Sequence, residues 1–150
     1  MDHATERDQV QREAKTWLRT PYHPRQQVKG AGVDCAMLPA AVYHSAGLIP
    51  KIAVEYYPQD WHLHQDEERY LKIVETFATR MEGPPNPGDF AIWKVGRCWA
   101  HGAIVMGWPR IIHAVMGQGV VWGDAQVDCL GKDHRLADLP LRFYTLWGEG

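Results

Sequence analysis

Cys35 stands directly after Asp34 and directly before a run of small and apolar residues, in the segment GVDCAMLPAAVYHSAGLI of residues 32–49. A thiol attacks a carbonyl as the thiolate, and at an ordinary pKa near ~8.5 only a small share is ionised at neutral pH, so a nucleophilic cysteine needs help. The first turn of a helix supplies part of it. Unpaired N–H groups and aligned peptide dipoles favour a negative charge there, and the same N–H groups can receive an oxyanion. Asp34 has the side chain of an N-cap, which predicts a helix that begins near Cys35 and carries the thiol in its first turn. Cys98 and Cys129 fall in strand or loop contexts without that device. The competing reading of Cys35 is a buried thiol that fills space, since free cysteine is among the most buried residue types.

A nucleophile of this kind also needs a base on a rigid element and a group to orient it. The segment WAHGAIV puts His101 at the start of a strand, and RIIHAVM puts His113 inside the next apolar strand, twelve residues on. Two strands joined by the GWPR turn bring the imidazoles side by side if both leave the same face of the sheet. Alternation puts Ile111, His113 and Val115 on one face and Ile112, Ala114 and Met116 on the other. His62 and His64 form an HxH pair, but no third ligand stands at a recognised metal-binding spacing, so no metal site is assigned.

The elements that must position these groups follow from periodicity. Val10, Ala14, Trp17 and Leu18 make one apolar stripe, which predicts a helix over residues 5–19. TPYHP stops it, and residues 20–33 form a loop with two prolines and two glycines. The helix that begins near Cys35 ends by Gly47 and Pro50, and residues 51–64 form an aromatic-rich connection with Tyr56, Tyr57 and Trp61. Tyr70, Val74, Phe77 and Met81 predict a third helix over 66–81. After GPPNPGD the chain changes character, and FAIWKV, HGAIVMG, RIIHAVM, GVVWGDAQV and LRFYTLW read as strands. Helices followed by strands predict α+β architecture, with an antiparallel sheet or half-barrel covered by N-terminal helices on one side.

Length and composition suit one globular domain: 150 residues, of which 45% are hydrophobic and 23% charged. A formal net charge of −2 supplies no positive field for nucleic acid or an anionic membrane surface. Three cysteines without CxxC spacing fit neither a disulfide framework nor a structural zinc site, which indicates a reduced compartment. The N-terminus MDHATERDQVQREAK is polar, and no stretch approaches the ~18 apolar residues of a membrane span, so export by an ordinary signal of its own is not expected.

Taken in order, GVDCAMLPAAVYHSAGLI, PNPGDFAIW, AHGAIVMG and IIHAV resemble the motif set of the NlpC-type cysteine peptidases, papain-like enzymes that cut peptide stems of the bacterial cell wall. The resemblance runs from about Trp17 to Val115. It implies a papain-like α+β fold in a single domain over 1–150, with Cys35 as nucleophile, His101 as general base and His113 as the group that orients the imidazole. Tyr22, in the TPY segment, matches the tyrosine that borders the family's cleft, and Asp34 and Ala36, which flank the nucleophile, are placed with it on the substrate side. Asp34 is first of all a cap. Gly88 and Asp89 match a structural turn. The resemblance implies no metal or other cofactor, and a scissile bond between the side-chain carboxyl of D-glutamate and meso-diaminopimelate in peptidoglycan stem peptides.

Within the family, the chain looks like the short peptidases of phage tails and gene transfer agents. That implies synthesis in the cytoplasm, carriage in a virion tail, tail hub or baseplate proteins as partners, and action at the host cell wall. Two departures stand out: Ala36-Met37 replaces the usual Ser-Gly and brings a larger side chain towards the cleft, and Pro39 lacks the N–H that would bond the Cys35 carbonyl. Two other readings remain, a catalytically silent tail-tip component that keeps the fold for assembly and another thiol amidase or acyltransferase on the same scaffold.

Overall fold

Val10 and Ala14, one helical turn apart, are fully buried in α1 (His3–Thr16), and Trp17 is buried just beyond its end. The computed structural model describes residues 3–52, 67–132 and 134–148. The predicted helix stops three residues early: Trp17, Leu18 and Thr20 donate to carbonyls three residues back, a tightening turn, and Arg19 takes a positive φ of 75°. The chain then leaves along the sheet, where Arg19 donates to the Val120 carbonyl and Val120 donates to that of Thr20, each at 2.9 Å.

The loop of residues 20–33 contains a small antiparallel pair, β1 (Gln27–Val28) with β2 (Gly32–Val33). An isolated bridge between Tyr22 and Val33 folds it back on itself, so that the loop returns Tyr22 to the vicinity of Cys35. α2 (Met37–Ser45) follows, two residues later than the predicted start. α3 (Glu67–Phe77) buries Tyr70, Leu71 and Val74. It ends before Met81, because residues 79–81 form β3 (Thr79–Met81) and find backbone partners in the last strand. Met81 sits at helical spacing from Phe77, but an open sheet edge offers it a ladder that a longer helix would forgo. Tyr56, Tyr57, Trp61, His62 and His64 lie outside the described residues.

The remaining strands are β4 (Phe90–Val95), β5 (Cys98–Gly107), β6 (Arg110–Val115), β7 (Gly119–Asp124), β8 (Cys129–Leu130), β9 (His134–Arg135) and β10 (Leu141–Thr145). The main sheet is six-stranded and antiparallel in the order β3-β10-β4-β5-β6-β7, so the α+β arrangement of N-terminal helices and a C-terminal antiparallel sheet is as predicted. Phe90, Ile92, Ile104 and Ile112 face the helices and pack with Val10, Leu38, Val42 and Val74. Burial of each such side chain is worth about 1.5–3 kcal/mol.

Both faces of the sheet are covered. Ala91, Trp93, Ala103, Val105 and Ile111 lie on the other side under Ala125 and Leu136, residues of the segment between β7 and β10. This explains why AIVM and RII read as unbroken apolar runs rather than clean alternation. The strand predicted through Val127 ends at Asp124, and the chain beyond it turns into that cover, with β8 and β9 paired as a short hairpin. At the GPPNPGD boundary, the fully buried Asp89 receives Arg7 Nη1 of α1 at 3.0 Å and the Asn86 N–H at 2.8 Å, while Tyr43 donates to the Gly88 carbonyl at 2.7 Å.

Candidate active site

Asp34 organises the turn that carries Cys35. Its Oδ1 accepts the Met37 N–H at 2.9 Å, its carbonyl accepts the Leu38 N–H at 3.0 Å, and its Oδ2 accepts the Arg25 N–H at 2.7 Å. The first two bonds are those of an N-cap. Cys35 and Ala36 nevertheless form a turn ahead of the helix proper, and Pro39 supplies the reason. With no N–H at position 39, the Cys35 carbonyl has no helical donor. The Gly102 N–H of β5 takes that carbonyl instead, at 3.3 Å. The departure that looked disruptive in the sequence therefore ties the thiol's turn to the residue next to His101.

Gly102 is required by this approach. A β-carbon there would stand 2.9 Å from Tyr70 Oη, 3.0 Å from Pro39 Cγ and 3.3 Å from the Cys35 carbonyl oxygen. The strand itself is also adapted: Trp93 pairs with His101 and Lys94 with Trp99, so Ala100 has no residue opposite. Such a bulge turns the strand locally and re-aims its groups. The Ala100 carbonyl receives the Cys35 Sγ–H at 3.5 Å, and Tyr22 Oη lies 3.7 Å from the sulfur on another side.

His101 and His113 leave the same face of the sheet. Ala103 is the residue opposite His113, so the two histidines are diagonal neighbours, with His101 Nε2 2.9 Å from His113 Nδ1 and the ring centroids 5.1 Å apart. Trp93 packs on the His101 ring at 5.7 Å. Because Nε2 of His101 is engaged by His113, Nδ1 is the nitrogen left to serve the cleft.

Cys35, His101, Tyr22 and Asp34 open onto one cleft of about 500 Å³, with Arg25, Val115, Met116 and Leu130 on its other walls. Arg25 is the cation among the described residues that line it. Ala36 does not line this cleft; it is 2% exposed and, with Met37, turns towards a separate apolar cavity between α2, α3 and the sheet. The larger side chains that replace Ser-Gly thus pack inward. Among the described residues, no group of three or more His, Cys, Asp or Glu side chains could hold a metal ion.

The electrostatics differ from the expectation of an activated thiolate. Burial, and then the charge of Asp34, push the Cys35 thiol up to about 12, against the Tyr22 hydroxyl and the backbone N–H groups of Cys35 and Ala36, which favour the anion. Burial and the neighbouring His113 hold His101 well below the usual histidine range, and burial brings His113 down to about 4 despite the opposing charge of Asp128. These directions favour a protonated thiol and neutral imidazoles around neutral pH. Residue spacing could not show the Ala100 bulge, the Cys35–Gly102 bond, Arg25 in the cleft or Asp128 behind His113, since each depends on pairing between distant segments.

No protein-family model matches the sequence, and no curated protein does. Among solved structures, the chain is similar to the NlpC/p60 domain of the peptidoglycan hydrolase SagA, with 22% identity over 91% of this chain and 96% of that one and a TM-score of 0.61. It is similar to an NlpC/p60 family protein from Bacillus cereus at 18% identity, 91% and 39% coverage and a TM-score of 0.60. Its likeness to NlpC2 from Trichomonas vaginalis has 16% identity, 97% and 50% coverage and a TM-score of 0.64. The chain spans half or less of the latter two. At these identities the likeness establishes the fold, which is that of NlpC/p60 domains.

Proposed function

We propose that the chain is a cysteine peptidase of the NlpC/p60 type that hydrolyses peptide stems of peptidoglycan. The observation that carries this reading is the arrangement of Cys35 and His101 on one cleft, with His113 Nδ1 2.9 Å behind His101 Nε2. Neutral His101 takes the thiol proton on Nδ1 as Sγ attacks the amide carbon, and the protonated ring then gives that proton to the leaving amine. Water hydrolyses the thioester with His101 again as base, while His113 fixes the ring's orientation. Because the resting thiol is protonated, deprotonation is coupled to attack rather than completed beforehand. Backbone N–H groups of the Cys35 turn stabilise the oxyanion. Arg25 supplies a positive charge suited to stem peptides, which are rich in carboxylates.

The finer reading is cleavage between the D-glutamate side-chain carboxyl and meso-diaminopimelate by an enzyme carried in a phage-like tail, with tail hub or baseplate proteins as neighbours. It rests on the sequence resemblance. A second reading, a silent module kept for assembly, is favoured by one feature: the thiol donates to the Ala100 carbonyl and is held protonated.

Mass spectrometry of purified stem peptides incubated with the protein and with Cys35→Ala separates the two. Cleavage at the glutamyl–diaminopimelate bond by the wild type alone supports the peptidase and its nucleophile. Intact peptides with both folded proteins reject it in favour of the silent module, and cleavage at another bond rejects only the finer reading.

A further inference from the structure

Behind His113, away from the cleft, the turn that follows β7 brings in a carboxylate. A β-carbon on Gly123 would stand 2.5 Å from His113 Nε2 and 3.1 Å from Asp128 Oδ2, so both atoms border the same point beside the Gly123 backbone. Glycine at 123 leaves the space for this approach. The carboxylate is held in place, since Oδ2 accepts the Asp124 N–H at 2.7 Å, the Asp128 N–H donates to the Asp124 carbonyl at 2.9 Å and the Asp128 carbonyl accepts the Leu136 N–H at 3.0 Å. Its charge is felt at His113, where it opposes the effect of burial. Neither His113 nor Asp128 is among the residues that line the cleft.

The proton between the two histidines can sit in two ways. If His101 Nε2–H donates to His113 Nδ1, then His101 Nδ1 is bare and can accept a proton from the thiol, and His113 carries its hydrogen on Nε2. If His113 Nδ1–H donates to His101 Nε2, then His101 Nδ1 carries the hydrogen and is useless as a base. Asp128 makes no hydrogen bond to His113, but its negative charge on the Nε2 side of that ring favours the first arrangement. We propose that Asp128 is a positioning residue that selects, through His113, the tautomer in which His101 can act as general base.

The inference rests on the peptidase reading only for its consequence; the tautomers themselves can be observed without substrate. Nitrogen-15 NMR of the histidine rings in the full chain is expected to show both His101 and His113 protonated on Nε2 at pH 7. Asp128→Ala and Asp128→Asn are expected to shift the balance towards the Nδ1–H forms by about tenfold. The asparagine keeps a side-chain oxygen for the Asp124 N–H and decides the matter if the alanine variant does not fold. Unchanged tautomer populations in the folded variants overturn the proposal.

With stem peptides, kcat is expected to fall about ten- to a hundredfold in Asp128→Asn while KM stays near the wild-type value. A rise in KM with kcat unchanged would overturn the positioning role. If the wild type cleaves nothing but the tautomers respond to Asp128, the peptidase reading fails and the tautomer selection stands.

Discussion

Replacing Gly102 by alanine tests whether Cys35 and His101 are held together by direct contact between α2's leading turn and β5. The added carbon would stand 2.9 Å from Tyr70 Oη, 3.0 Å from Pro39 Cγ and 3.3 Å from the Cys35 carbonyl oxygen. Favourable non-bonded contacts lie near about 3.5–4.0 Å, so the two elements must separate by about 0.5 Å. The end of Tyr70 can swing aside, whereas Pro39 is fixed in the first turn of α2. Overpacking of this kind costs about 1–3 kcal/mol, and loss of the 3.3 Å Gly102–Cys35 bond adds about 1 kcal/mol. A combined loss of about 2–4 kcal/mol lowers Tm by about 5–15 °C in a chain of this size. Urea unfolding followed by tryptophan fluorescence measures it, and peptide hydrolysis should drop by up to about a hundredfold as the thiol and imidazole move apart. Tyr70→Phe removes the nearest atom, so in the double variant part of the loss should return, a coupling of about 0.5–1 kcal/mol. A Gly102→Ala protein with wild-type midpoint and wild-type rate would refute the reasoning.

Two further outcomes concern protons. With its thiol raised to about 12, Cys35 should react with iodoacetamide about tenfold faster per pH unit from pH 6 to 9, as peptide mapping would show; a plateau near pH 6–7 would mean the thiolate is already formed. Because the folded protein binds protons at His101 and His113 less readily than the unfolded chain, stability present above about pH 6.5 should be lost as pH falls towards 4, at up to about 1.4 kcal/mol per unit for each ring. Denaturant titrations should show that slope reduced in His113→Asn, and an identical slope in the variant would sink the assignment.

Much of this architecture was legible along the chain. The stripe of Val10, Ala14 and Trp17, the five apolar segments after Asp89, and the two histidines twelve residues apart all report local periodicity, which is a property of neighbours in sequence. The errors occurred where a distant partner outweighed local preference. Met81 fits a helix by spacing and joins a strand because β10 offers it a ladder. The stretch after β7 carries no strong period, yet its Ala125, Leu130 and Leu136 cover the sheet's second face.

The sequence alone determined the residue types that can do thiol chemistry, the order of helices before strands, and the face that His113 shares with its neighbours. Tertiary structure decided the rest of the site. Pro39 reads as a defect until β5 supplies the N–H that α2 lacks; Asp34 reads as a cap but also raises the thiol it precedes; and burial, which no spacing reveals, leaves both imidazoles and the thiol neutral. Asp128 comes near enough for its charge to act on His113, with no hydrogen bond between them, because β6 and β7 pair in one register and both side chains border Gly123. Hydrogen-bond partners and desolvation belong to the folded neighbourhood, and pairwise spacing along a chain carries no measure of either.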